Sequence, residues 1–158
     1  MRHLPKHLRP RYRYLAVEIE ARPAAALDRQ AFQAAAWSAA RGLLGDAQSA
    51  AVDLQVLEGD FWAGGGAAIV RVRRDRVQPA RAALACVEAV AGEPVRVGVR
   101  GIGGTVRATE RQYWGGPPGV TDTETVEFRE AEWTAQFRED RVDLESGGQF
   151  VGVTPAEL

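Results

Sequence analysis

One cysteine, one methionine and one lysine are all that this 158-residue chain carries of those types. A lone Cys86 excludes an intrachain disulfide and suits a reducing compartment, so a cytoplasmic protein is expected. Lys6 stands against nineteen arginines in an Ala-rich chain, which reads as GC-rich coding bias rather than function. No apolar stretch approaches a membrane span; Gly64 to Val70 is the longest uncharged run of small residues and is too short. His3 and His7 lie four apart with no Cys or carboxylate beside them, and the acids are scattered, so no metal or other cofactor is expected on this chain. Missing too are the Lys-Ser/Thr ending of a phosphate-binding loop, the spacing of a dinucleotide fingerprint and any acid–base pair. No catalytic residue is expected.

What is present is a 46% hydrophobic chain, enough for one packed domain with an appendage. The net charge of −1 hides an asymmetry. Up to Pro117 there are seventeen Lys and Arg against eleven Asp and Glu, a balance of +6; from Pro118 onward three Arg face ten acids, a balance of −7. A basic body joined to an acidic tail fits a polyanion partner. The opening MRHLPKHLRPRYRY concentrates Arg2, Lys6, Arg9, Arg11 and Arg13 with no acid before Glu18. It lacks the apolar run of a secretory leader, and Pro5 and Pro10 break the helix of a transit peptide. Residues 1–11 therefore read as a basic arm.

Alternation over Tyr12 to Glu20 predicts a strand with Leu15, Val17 and Ile19 buried. A helix follows over Asp28 to Leu44, capped by Asp28, stopped by Gly45 and striped by Phe32, Ala36, Ala39 and Leu43. Trp37 lies off that stripe, at its edge or against a partner. Ala51 to Glu58 predicts a second strand (Val52, Leu54 and Val56 inward), then EGDFWAGGG a turn and loop. Ala67 to Arg74 predicts a third strand with Ala68, Val70 and Val72 inward. A second helix is predicted over Val77 to Ala91, with Pro79 in its first turn and Cys86 packed at the edge of its stripe. Pro94 to Ile102 predicts a fourth strand with Val95, Val97 and Val99 inward.

The order βαββαβ predicts an α+β, ferredoxin-like (RRM-like) sandwich, an antiparallel sheet with both helices on one face and the first and third strands as central neighbours. Its other face, left without helices, would carry Tyr12, Tyr14, Ile69, Arg71, Arg73, Arg96 and Arg100 opposite Glu18 and Glu20. Such a face either binds RNA, by stacking and phosphate contacts, or is an ordinary solvated surface with its tyrosines half-covered by the tail. The third strand has no aromatic residue, so the stacking scheme of RNA-recognition motifs is absent. Next comes VRGIGGTVRATERQYW. Gly101, Gly103 and Gly104 permit a tight turn or positive φ, and Thr105 caps a short helix to Tyr113. Arg107 and Arg111 share a face of that helix, so the turn suits a phosphate, although glycine turns before helices are common. Residues 115–123 read as a Gly/Pro linker, and 124–158 as an acidic hairpin or three-stranded meander built on Val126, Phe128, Trp133, Ala135, Phe137, Val142 and Leu144.

The arm entering its strand, RHLPKHLRPRYRYLAVEIE, and the late turn VRGIGGTVRATERQYW together resemble the archaeal ribonuclease P protein component 2 family, related to a processing subunit of the eukaryotic enzyme. The helix stretch VQPARAALACVEAVAGEPV resembles it as well. The resemblance runs over Arg2 to Trp114, with residues 12–114 as the family-like domain. Gly103 stands where the family usually has Ser, which removes a hydroxyl and keeps the backbone. The resemblance implies an α/β sandwich in a complex that removes the 5′ leader from precursor tRNA, with the RNA subunit catalytic and using Mg2+. It implies ribonuclease P RNA and protein component 3 as partners, precursor tRNA as an indirect one, and self-association within the complex. Expected RNA-binding residues are Arg9, Arg11, Tyr12, Arg13, Tyr14, Arg71, Arg73, Arg100, Gly103, Gly104, Thr105, Arg107 and Arg111. Two alternatives remain open: a ferredoxin-like domain regulated by a small anion, and a ribosome-associated RNA-binding protein.

Overall fold

The computed structural model describes residues 4–114 and 122–158. The chain divides into two compact units, Met1–Gly115 and Gly116–Leu158. Arg2, His3 and the 115–121 part of the expected linker lie outside the described residues.

In the first unit the alternating stretch forms β1 (Tyr12–Ala21), and Asp28 caps α1 (Arg29–Val52) by accepting a hydrogen bond from the Ala31 N–H at 2.8 Å. Strands β2 (Gln55–Trp62) and β3 (Gly65–Arg73) form a hairpin, followed by α2 (Val77–Ala85), β4 (Ala89–Val90), β5 (Glu93–Gly103) and α3 (Val106–Tyr113). The sheet order is β2-β3-β1-β5-β4, so the first and third strands are central neighbours in a ferredoxin-like arrangement, with β4 as an added edge. Leu15, Val17 and Ile19 pair across to Val70, Ala68 and Gly66 on one side. That face packs on Phe32 and Ala36 of α1 and on Ala80 and Leu84 of α2. Each such large apolar side chain removed from water contributes roughly 1.5–3 kcal/mol.

Four boundaries differ from the sequence reading. Gly45 does not end the first helix; at φ 77°, ψ 170° it breaks it, and a further helical segment runs to Val52. Val52 is therefore helical, although it is buried as expected. The stretch EGDFWAGGG is mostly strand, because Gly65 and Gly66 serve close approach rather than a loop: a Cβ on Gly65 would collide with the Ile19 carbonyl oxygen, and one on Gly66 with the Phe61 ring. The second helix stops at Ala85, since Ala91 (φ 50°) and Gly92 (φ 82°) turn the chain back between β4 and β5. Cys86 follows that helix end and is exposed rather than packed.

Along the outer edge, three residues of α1 at four-residue spacing reach the backbone of the chain entering β2. Arg29 donates to the Val56 carbonyl at 3.3 Å, Gln33 Oε1 accepts from the Val56 N–H at 2.7 Å, and Trp37 Nε1–H donates to the Leu54 carbonyl at 2.7 Å.

The second unit is a four-stranded meander, β6 (Asp122–Phe128), β7 (Ala131–Phe137), β8 (Val142–Ser146) and β9 (Gln149–Val153), in sequence order. It has more strands than either the hairpin or the three-stranded meander expected, and it begins at Asp122, inside the stretch read as linker. Ala135, Val142, Leu144 and Val153 form its buried centre, with Trp133 and Phe128 packed alongside. Among the described residues no helix is long and apolar enough to cross a membrane.

Candidate nucleic-acid interface

The sheet face opposite α1 and α2 is not bare, as its topology suggested. Helix α3 lies on it, over β5 and β1, and Ile69 and Ala16, which a bare face would leave wet, are buried there together with Thr109. The glycines make this possible. A Cβ on Gly103 would collide with Thr109 Oγ1, and one on Gly101 with the ring of Tyr113. Neither these two nor Gly104 has positive φ; the first two admit a helix to the sheet rather than forming a left-handed turn. Thr105 caps α3 as expected, its hydroxyl accepting from the Ala108 N–H at 3.1 Å. Thr109 Oγ1–H donates to the Thr105 carbonyl at 2.7 Å, which closes the first turn.

The rest of that face divides into two patches. At one end, Tyr12 pairs directly with Arg73 across β1 and β3. The Arg71 guanidinium lies 4.3 Å above the Tyr12 ring and that of Arg73 lies 5.1 Å from it. Both cations are thereby held over an aromatic face. Tyr12 O–H donates to Asp53 Oδ2 at 3.2 Å, and Arg73 Nε sits 3.3 Å from the same oxygen. Arg71 donates to Gln55 Oε1 at 2.9 Å, while its buried Nε has no acceptor among the described residues. Tyr14 lies one pair further along, between Arg71 and Gly103. At the other end, Arg100 meets Glu18 at 2.7 Å and Arg96 meets Glu20 at 3.3 Å. These ion pairs are exposed and contribute little stability, but they offset the positive field where Arg100 was expected to meet phosphate.

The remaining expected residues scatter. Arg13 alternates with Tyr12 and Tyr14 and pairs with buried Val72, so it belongs to the face that α1 and α2 cover, and it donates to the Tyr12 carbonyl at 3.1 Å. Arg11 is exposed beside Arg73, Arg74 and Asp75 around a shallow hollow. Arg74 and Arg76 fall in a short 3-10 turn after β3 and extend the basic surface; the sequence reading misses them, although the run RVRRDR is there to suggest it. Lys6 to Leu8 form one 3-10 turn, after which Arg9 donates to the Leu4 carbonyl at 2.9 Å. Arg107 and Arg111 are exposed on α3 around a depression shared with Glu110 and Trp114.

Glu110 carries a perturbed carboxyl. It is held above the usual carboxylate range chiefly by a hydrogen bond with Glu58 of β2, then by desolvation and the Glu58 charge, while Arg107 pulls it down. Among the described residues no three His, Cys, Asp or Glu side chains gather into a metal-holding group. What the geometry offers is a fixed Tyr-Arg-Arg cluster and an exposed row of helix arginines. Both suit phosphates, and neither supplies a nucleophile or base.

Residues 13–114 match the Rpp14/Pop5 family. Over 160 aligned positions the chain is 53% identical to ribonuclease P protein component 2 of Haloarcula marismortui, covering the whole of this chain and 99% of that protein. The protein of the same name from Natronomonas pharaonis is 50% identical over 158 positions, covering 100% and 98%. That from Halorubrum lacusprofundi is 53% identical over 152 positions, covering 96% of each. The acidic extension is thus matched along with the basic body, since these alignments run past residue 114.

Proposed function

The chain belongs to the Rpp14/Pop5 family, and we propose that it works by laying the Tyr12–Arg71–Arg73 cluster and the arginines of α3 along the RNA of ribonuclease P. It is a protein subunit of ribonuclease P, the endoribonuclease of tRNA processing, and the catalytic role in that complex lies with the RNA. Neither a small-anion regulatory domain nor a ribosome-associated protein gains support from its relatives.

The observation that carries the proposed contact is the pre-ordering of two guanidinium groups on one tyrosine. Each phosphate neutralised releases condensed counterions, and an arginine already held in place loses less rotamer freedom on binding. Arg11, Arg74 and the arm with Arg9 extend this surface, while Arg107 and Arg111 add a second one on α3. In this arrangement the protein holds the RNA in its cutting conformation and so assists removal of the 5′ leader from precursor tRNA, which it meets only indirectly. The Mg2+ ions belong to the RNA, not to this chain. Protein component 3 is its partner in the complex, self-association accompanies that pairing, and the cytoplasm is where it works.

The test is reconstitution with the matching RNA and component 3. Adding the chain should raise the cleavage rate or lower the magnesium needed. No change with partners shown to be active would sink the reading.

A further inference from the structure

Beside Trp37 the surface carries an open hollow of about 610 Å³, the Trp37 cavity, with a volume in the range of small-ligand sites. Its walls come from both sides of the break at Gly45: Trp37 and Arg41 before it, Asp46, Ser49 and Asp53 after it, with Gln55 of β2 beside them. Trp37 is 47% exposed, yet its only hydrogen-bond donor is spent on the Leu54 carbonyl. The indole is therefore fixed in orientation and can offer a visitor nothing but its ring.

The surrounding groups are polar and partly uncommitted. Asp53 uses Oδ2 for Tyr12 and Arg73, which leaves Oδ1. Gln55 uses Oε1 for Arg71, which leaves its amide NH2. Asp46 and Ser49 line it as well. A rigid aromatic platform bordered by mixed donors and acceptors fits a flat heterocycle with a hydrogen-bonding edge, as a nucleobase has. Two carboxylates favour a base rich in N–H donors, of which guanine is the richest, and they disfavour a phosphate inside the cavity. Arg41, one turn beyond Trp37, also lines the cavity and is the cation there for the backbone of the same nucleotide.

Asp53 and Gln55 belong both to this cavity and to the Tyr12–Arg71–Arg73 cluster. We propose that the Trp37 cavity receives one unpaired base of the RNA, stacked on the indole, while phosphates of the same strand lie on Arg71 and Arg73. This rests on the reading of the chain as an RNA-binding subunit.

The experiment titrates the full-length chain against transcribed ribonuclease P RNA over a range of salt. Trp37→Ala should weaken binding by about tenfold or more without changing the salt slope, because it removes a stacking partner and leaves every phosphate partner in place. Trp37→Phe keeps a stacking face, gives up the bond to Leu54, and should retain most of the affinity. Ala50→Trp, at an exposed position on the cavity wall, fills the space without removing a hydrogen bond and should weaken binding as Trp37→Ala does. Arg71→Ala and Arg73→Ala should flatten the slope. If those two flatten it while Trp37→Ala and Ala50→Trp bind like wild type, the cavity proposal falls and the RNA reading stands. A Trp37→Phe variant as weak as Trp37→Ala would overturn it in favour of a structural role. Loss of component 3 binding with RNA binding intact would overturn it in favour of a protein side chain in the cavity. A wild-type chain that binds no RNA would remove both readings together.

Discussion

The ring of Tyr113 lies against Gly101, in the space where any other residue would carry its Cβ. This close approach seats α3 on β5. Gly101→Ala should therefore unseat the helix or displace the ring, at about 1–3 kcal/mol in a denaturant titration. Gly104, whose Cβ would meet open space, serves as the control and should tolerate Ala within about 0.5 kcal/mol. Equal losses at both positions would show that backbone entropy, not the close approach, sets the cost.

The cap of the same helix is open to a similar test. Thr105 satisfies the Ala108 N–H, and Thr105→Ala should cost about 1 kcal/mol of stability while Thr105→Ser retains most of it. Chemical denaturation of the three proteins decides this; a Ser variant as unstable as Ala would assign the effect to the methyl group.

Acid and base act on α3 through Glu110. The Glu110 pKa is raised in the folded state, with the shared hydrogen bond to Glu58 as the main cause. The resulting contribution to stability is complete below the ordinary carboxylate pKa and is lost as pH rises through the raised one, when Glu110 ionises beside Glu58. Glu110→Gln should gain on the wild type as pH rises toward neutrality and show little difference in acid. Thermal melting of the pair across that range would show parallel curves if the two carboxyls do not interact.

The basic surface predicts a graded salt dependence. Arg73→Ala and Arg107→Ala should each lower the slope of log affinity against log salt by about one for each phosphate no longer neutralised. Arg100→Ala should change it less, because Glu18 already faces that cation at 2.7 Å. An Arg100 effect as large as that of Arg73 would mean that the ion pair opens on the RNA.

Much of the fold is legible from periodicity. Leu15, Val17 and Ile19 announce their strand because a half-buried sheet has a repeat of two, and Thr105 announces its helix because a hydroxyl there has a partner three residues on. The cover provided by α3 is not legible. Gly101 and Gly103 read as turn residues in a linear sequence, and only the fold brings Thr109 and Tyr113 over them. Gly45 misleads for a similar reason: a glycine after an apolar stripe signals a helix end, whereas here the chain resumes its helix on a new heading. Adjacency groups Arg13 with Tyr12 among the expected RNA contacts, although neighbours in a strand place their side chains on opposite faces. Trp37 leaves a usable trace, an aromatic off the apolar stripe of its own helix, and the cavity beside it explains why burial did not claim it.

The row Arg29, Gln33 and Trp37 has a consequence for the protein as a crowded solute. An exposed strand edge is a template on which a second chain can add and a third can follow. Here one helix occupies the carbonyls of Leu54 and Val56 and the N–H of Val56, the groups a visiting strand would need first. The sheet is thereby denied a starting point for polymerisation at that end, and a chain waiting for its RNA is protected from its own copies by three side chains rather than by another strand.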